Sequence, residues 1–192
     1  MKDRLLAGAQ ADVLILTQAM MNELAAQGHA RADTFCDLGA VATAMAVRSG
    51  ETPCPCATAE ELRASLLEAD AIYFPDPKLA TAGIHFARVL DKLGIAEAVS
   101  GRLRAHPNGA TAMAALATST VRRPLGCTQV TEILATPGVD LVAPLPAGYE
   151  LATVYTAGVA NLAQSPLAAA EFVGLLGGPW AAQARRDAGF GI

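Results

Sequence analysis

The stretch that decides the fold is Ala11-Asp12-Val13-Leu14-Ile15-Leu16-Thr17, followed by Gln18 to Gln27 and Gly28. Its first part is an unbroken apolar run, which reads as a parallel strand covered on both faces. Thr17 then stands where a helix N-cap belongs, since its hydroxyl can accept from an amide of the first turn that has no partner within the helix. Met21, Leu24 and Ala25 form the expected buried stripe of that helix, and Gly28 supplies the stop. A strand that runs straight into a helix is the repeating unit of α/β layering.

Working outward, the same alternation continues. Leu38 to Val47, rich in small and β-branched residues, reads as a second strand, and Arg48 to Ala57, with Gly50, Pro53 and Pro55, as a loop. Thr58-Ala59-Glu60-Glu61 is a capping box opening a helix to about Ala69, in which Glu61 is expected to reach back to the cap. Ala71 to Phe74 is a short strand, and a helix from about Thr81 carries Phe86, Val89, Leu90 and Leu93 before stopping at Gly94. Asn108-Gly109-Ala110-Thr111 opens another helix through Ala117. Leu125 to Gln129 and Val139 to Ala143 read as strands around a short helix, Thr131 to Ala135. Ala152 to Ala160 is the last long strand, and two proline-initiated helices, Pro166 to Leu176 and Pro179 to Ala188, close the chain. There is no internal repeat and no low-complexity linker. Two lobes sharing a chain that crosses between them fit this order better than two sequential domains.

The composition bounds the function classes. The 192 residues are 53% hydrophobic, 17% charged and 5% aromatic, which excludes a disordered or fibrous chain. At this size about 70% of the unfolded surface can be buried, so no disulfide or metal staple is needed. Alanine fills 42 positions, so the hydrophobic share reflects small helix formers. No window reaches the roughly 18 apolar residues of a membrane helix. Met1 to Ala7 lacks the apolar stretch of a secretion signal, so a cytoplasmic location is expected for the chain as written, and a periplasmic one if its true start lies upstream. A formal charge of −4 with scattered basic residues argues against a nucleic-acid partner.

Catalytic patterns are weak. Cys36, Cys54, Cys56 and Cys127 fit neither a zinc knuckle nor a Cys-x-x-Cys pair, and His29, His85 and His106 have no metal-ligand spacing. There is no nucleophile elbow, Walker loop or dinucleotide fingerprint, and Gly174 to Gly178 lies between helices rather than after a strand. No cofactor and no metal are expected. What does recur is a strand that ends at a helix start: at Leu16-Thr17, at Phe74 to Ala82, and at Asn108 to Thr111. Each start offers unpaired amides and the positive end of a helix dipole, so several together would hold a small anion without Arg or Lys. Such starts also occur, with ordinary capping threonines, in any α/β protein.

Taken in order, Ala11 to Thr17, Asp76-Pro77 with Ala82-Gly83, Pro124-Leu125-Gly126-Cys127-Thr128-Gln129, and Val154-Tyr155 with a terminal Ala188-Gly189-Phe190 resemble the molybdate-binding proteins of ABC transporters, within the type 2 periplasmic binding protein superfamily. The resemblance implies an α/β fold of two lobes, each a mostly parallel sheet flanked by helices, with the ligand in the cleft between them. It places residues 1–47 and 144–192 in lobe I and 48–143 in lobe II. It puts Thr17 at the family's second ligand serine, Thr81 and Ala82 at the Pro-Ala-Gly helix start, Ala110 and Thr111 at the third helix start, and Gln129 at the family's ligand tyrosine. An amide able to accept as well as donate suits a ligand that carries its own protons.

Family members also begin with a strand, a serine-bearing loop and a helix ahead of the point where this chain starts. The shortened lobe is therefore expected to be completed by self-association. The function implied is uptake binding of a small oxyanion such as molybdate, or of a small carboxylate or polar organic anion, without catalysis and with an ABC permease as partner. Two alternatives stand beside it: an intracellular ligand sensor of the same fold, and an enzyme using Cys36, Cys54 or Cys127.

Overall fold

The computed structural model describes residues 2–191. In chain order its helices and strands are α1 (Lys2–Leu6), β1 (Val13–Thr17), α2 (Gln18–Ala26), β2 (Cys36–Arg48), α3 (Ala59–Glu68), β3 (Ala71–Pro75), α4 (Thr81–Lys92) and α5 (Ala96–Val99). There follow β4 (Leu103–His106), α6 (Gly109–Ala117), β5 (Pro124–Gln129), α7 (Val130–Leu134), β6 (Val139–Pro144), β7 (Ala152–Val159), α8 (Pro166–Gly177) and α9 (Ala182–Asp187). The fold is α/β, with helices flanking mixed sheet. None of the helices among the described residues is long and apolar enough to cross a membrane.

The chain divides into two compact units. Unit 1 holds the described residues up to Val41 and from Thr153 on; unit 2 is the insertion Ala42–Ala152. The resemblance places the boundaries at 47/48 and 143/144. No turn or composition change marks the first crossing, at 41/42, because β2 runs through it as one continuous strand.

In unit 1, β7 lies between β1 and the first part of β2. The apolar run of β1 reads as a parallel strand, but β1 pairs antiparallel with β7, from Val13 opposite Val159 to Thr17 opposite Tyr155. It is also the outer strand of the order among the described residues. Burial along it alternates: Leu14 and Leu16 are buried while Ile15 is 38% exposed. Only one face is fully covered, which a run of Val, Leu and Ile cannot reveal because all three suit either face.

Leu14, Leu16, Met21, Leu24, Ala30 and Ala160 form one core cluster of the unit. Leu38, Ala157, Val159, Ala169 and Val173 form another, beneath α8. The C-terminal segment returns to β2, where Ala40 and Gly191 exchange backbone hydrogen bonds of 3.0 and 2.8 Å. That approach requires Gly39, whose φ is +135° and whose missing Cβ would lie 2.6 Å from the Gly191 carbonyl oxygen.

In unit 2, β5 lies between β2 and β3, β4 flanks β3, and β6 pairs with β2. β3 is parallel to both β4 and β5, whereas β2 is antiparallel to both β5 and β6. The core gathers Met45, Leu62, Leu66, Ile72, Phe74, Phe86, Leu90, Ile95 and Val99 beneath α3, α4 and α5. Local signals behave as the residues dictate, with one adjustment. Thr58 caps α3 by accepting from the Glu61 amide at 3.2 Å, but Glu61 reaches one residue further than a capping box requires, accepting from the Ala57 amide at 2.9 Å. Three elements carry no legible signal in the sequence: α1, α5 and β4. The four residues of β4 alternate too briefly, and with an arginine between, to register as a strand.

Candidate functional site

The parallel strands β4, β3 and β5 of unit 2 point their carboxyl ends the same way, and each runs into a helix: α6, α4 and α7. Carboxyl ends of strands are where α/β sheets take ligands, because the following helices aim their amino ends there. Five of the six sequence-derived ligand residues belong to this edge: Thr81 and Ala82 on α4, Ala110 and Thr111 on α6, and Gln129 at the end of β5. Thr17 lies in unit 1, at the junction of β1 and α2.

The α4 start has no side-chain cap, and Ala82 and Gly83 in its first turn are buried. Its N-cap, Ala80, has no side chain to offer, and the amides of Thr81, Ala82 and Gly83 form no hydrogen bond with any described residue. The first turn is pressed onto the end of β3. A Cβ on Gly83 would fall 2.2 Å from the Pro75 carbonyl oxygen and 2.3 Å from that of Asp76, so only glycine permits the approach. Asp76 shapes the loop between: its Oδ1 accepts from the amides of Lys78 and Leu79 at 2.7 and 3.0 Å. His85 Nε2 lies 2.8 Å from the Tyr149 carbonyl oxygen, so this histidine ties α4 to the segment after β6.

The α6 start is furnished differently. Asn108 Oδ1 accepts from the Thr111 amide at 2.9 Å, and Thr111 Oγ1 in turn serves the Asn108 backbone, accepting from its amide and donating to its carbonyl. The Thr111 hydroxyl is thus engaged in capping its own helix. Beside it stands a carboxylate that the sequence does not announce. Glu132, on α7, accepts from Thr128 Oγ1 at 2.5 Å, and a Cβ on Gly109 would lie 1.8 Å from Glu132 Oε2. The chain's own negative charge therefore occupies the positive end of α6. Glu132 escapes sequence reading because its neighbour comes from a helix two elements away. Gln129 is 5% exposed, at the N-cap position of α7.

In unit 1, Thr17 Oγ1 accepts from the Met20 amide at 3.4 Å, a long cap bond. Thr17 stands opposite Tyr155 across the β1–β7 pair. Asp37 is nearby on β2: its Oδ2 accepts from Gln18 Nε2 at 2.9 Å, and its Oδ1 accepts from the buried Thr156 hydroxyl. No group of three or more His, Cys, Asp or Glu side chains among the described residues is placed to hold a metal ion. A cavity of about 420 Å³ in unit 2 lies at the opposite end of the sheet, lined by Val47, Pro124, Leu125 and the Pro53–Pro55 loop, away from the helix starts.

A family model described as bacterial extracellular solute-binding protein matches residues 2–191. Aconitate isomerase from a Pseudomonas species is 28% identical over 193 residues, spanning 97% of this chain and 70% of that protein. Among solved structures, the periplasmic molybdate-binding protein of Azotobacter vinelandii superposes with a TM-score of 0.80 at 18% identity, over 100% of this chain and 82% of that one. The sulfate-binding protein SubI of Mycobacterium tuberculosis gives 0.72 at 16%, over 98% and 71%. The structural likenesses establish the fold, that of the type 2 periplasmic binding proteins, and the match along the chain establishes the lineage. The chain belongs to the bacterial extracellular solute-binding protein family.

Proposed function

We propose that this protein binds a small organic anion through a carboxylate, without catalysis, as the solute-binding component of an ABC-type uptake system. The observation that carries the reading is the α4 start, where three consecutive amides without partners stand at the carboxyl edge of the parallel strands. A carboxylate or oxyanion there gains charge-assisted hydrogen bonds and the helix dipole. The choice of a carboxylic acid over molybdate or sulfate rests on Glu132. A fixed carboxylate at the neighbouring helix start disfavours a ligand that is anionic over its whole surface, and suits one with a hydroxyl or protonated group to donate. Gln129, whose amide both donates and accepts, fits the same ligand. The similarity to a protein named aconitate isomerase supports it from outside the geometry.

Calorimetric titration with trans-aconitate, cis-aconitate, citrate, molybdate and sulfate tests the reading. Saturable heat with a carboxylate and none with the inorganic oxyanions is expected. Molybdate binding alone would overturn the ligand class, and silence from all five would overturn binding at this edge. Thr17 keeps its place as a proposed ligand residue.

A second reading is isomerisation of such an acid, favoured by the named relative and by the place of the Glu132 carboxylate beside the α6 start. Following cis- and trans-aconitate by proton NMR in the presence of the protein separates the two. Interconversion above the buffer rate replaces binding by catalysis.

A further inference from the structure

Within unit 1 one side of β1 is paired and the other is not. The Ala160 amide donates to the Asp12 carbonyl at 3.0 Å, which continues the β1–β7 register by one residue. Antiparallel partners bond at every second pair, so Leu14 and Leu16 turn their backbone groups to β7 while Val13, Ile15 and Thr17 turn theirs away. Val159, opposite Val13, agrees: its amide donates to Thr34 Oγ1 at 2.9 Å and its carbonyl accepts from the Arg31 amide at 2.9 Å. The amides and carbonyls of Val13 and Ile15, and the amide of Thr17, have no hydrogen-bond partner among the described residues. Sheet edges are ordinarily guarded by a charge, a proline or a bulge, and Val13 to Thr17 has none of these. Apolar surface flanks the open edge on both faces. On one, Leu14 and Leu16 border a groove of about 200 Å³ with Leu5 and Ala9; its charged lining is Lys2, held by Glu23, and Arg4. On the other, Val13 packs beneath α8 and Ile15 is 38% exposed. Gly177 of α8 abuts Cys36 of β2, so Phe172, which leaves the sheet-facing Val173 on the opposite flank, overhangs β1 and is 49% exposed.

We propose that two copies of this chain join edge to edge through β1, antiparallel about a two-fold axis at Ile15. In that register the amide and carbonyl of Ile15 bond to those of Ile15 in the second copy, and each Thr17 amide donates to the other copy's Val13 carbonyl. These are the groups that β7 leaves unused. Leu14 stands opposite the second copy's Leu16, and Asp12 opposite its Gln18, so apolar meets apolar and no like charges face each other. The axis runs through the sheet, which keeps both α8 helices on one face, where Ile15 and Phe172 of one copy meet those of the other. A patch that is its own complement about one residue is what a closed two-fold interface requires, and it selects a second copy over an unrelated strand. One continuous sheet then passes through two copies of unit 1, with no open edge at β1. The interface does not depend on which ligand the protein binds.

Sedimentation velocity on the full chain at micromolar concentration is the first test: a dimer is expected, and a monomer would overturn the proposal. Position 15 faces itself only in this register. Ile15→Lys and Ile15→Glu, each setting like charges against one another on the axis, are therefore expected to be monomeric, and an equal mixture of the two to associate again as a heterodimer. A dimer that survives Ile15→Lys would overturn the proposal, as would a mixture that stays monomeric although both variants are folded by circular dichroism. Should either variant fail to fold, the parent protein answers alone through amide hydrogen exchange read residue by residue. The Ile15 amide is expected to exchange slowly where the protein is dimeric and quickly on dilution to the monomer, whereas the Leu14 amide, bonded to β7, is slow in both. An Ile15 amide whose exchange does not change with concentration would overturn the pairing.

Discussion

Replacing Gly83 by alanine tests whether the α4 start is seated as closely as its geometry states. The new methyl would meet the Pro75 and Asp76 carbonyl oxygens at 2.2 and 2.3 Å, against about 3.3 Å for an ordinary close C···O contact. Both obstacles are backbone at the end of a buried strand, so the first turn of α4 must lift by about 1 Å to relieve them. Overpacking of this kind costs about 1–3 kcal/mol. Alanine returns up to about 1 kcal/mol of helix propensity, less in a first turn, leaving a net loss of about 1–2 kcal/mol. For a chain of this size each kcal/mol moves Tm by about 2–4 °C, so the expected fall is about 2–8 °C.

Gly174→Ala is the matched control. It lies in α8 with open space where its Cβ would stand, so alanine there should raise stability by about 0.5–1 kcal/mol. Scanning calorimetry of both variants gives the signs, and titration of Gly83→Ala with the acid that binds best gives the consequence for the site. A Gly83→Ala protein that melts at or above the parent and binds unchanged would refute the close seating and its role.

Two further outcomes follow from single contacts. Arg102 donates to the carbonyl oxygens of Leu67, Ala69 and Ala98 at 2.6, 2.7 and 3.0 Å, closing the end of α3 onto α5, so Arg102→Met, which keeps the stem, should cost about 1.5–3 kcal/mol. Urea unfolding would show this as a lower midpoint at constant slope, and an unmoved midpoint would refute it. In unit 1 the Lys2 ammonium, 2.5 Å from Glu23, holds that carboxyl below the usual carboxylate range by hydrogen bond and charge. Because the folded value is the lower one, the stabilising contribution is present above the unfolded pKa of about 4.3 and is lost as pH falls through the folded value. Carbon NMR titration of Glu23 should return to the ordinary range in Lys2→Ala; an identical titration in the two proteins would rule out the pair.

What the sequence discloses is what adjacent residues settle between themselves. Thr17, Thr58 and Asn108 announce their helices because a cap and the amides it serves lie within four residues, and the stripe of Phe86, Val89 and Leu90 is legible for the same reason. The direction of β1 is not legible, since it depends on β7 arriving from the far end of the chain. Neither is β4, too short to show a period, nor the seam between units, where β2 passes without a turn. For the site, the helix starts can be found from spacing, but their states cannot. That Thr111 is spent on its own cap, that Glu132 faces the α6 start and that Gly83 sits against two carbonyls are facts of tertiary approach.

The place of β7 between β1 and β2 also sets an order of assembly during synthesis. Unit 2 is continuous in sequence, and its strands are all made once Pro144 has emerged. β1 and the first part of β2 are made earlier than any of these, yet neither has its β7 partner, because the strand that separates them is the last of the described strands to be translated. At about 5–20 residues/s the wait from Arg48 to Val159 is roughly 5–20 s. During that time β1, with Leu14, Ile15 and Leu16, leaves an apolar strand edge open to mispairing on the nascent chain. The strand that joins the two early strands of unit 1 is the one the ribosome delivers after all of unit 2.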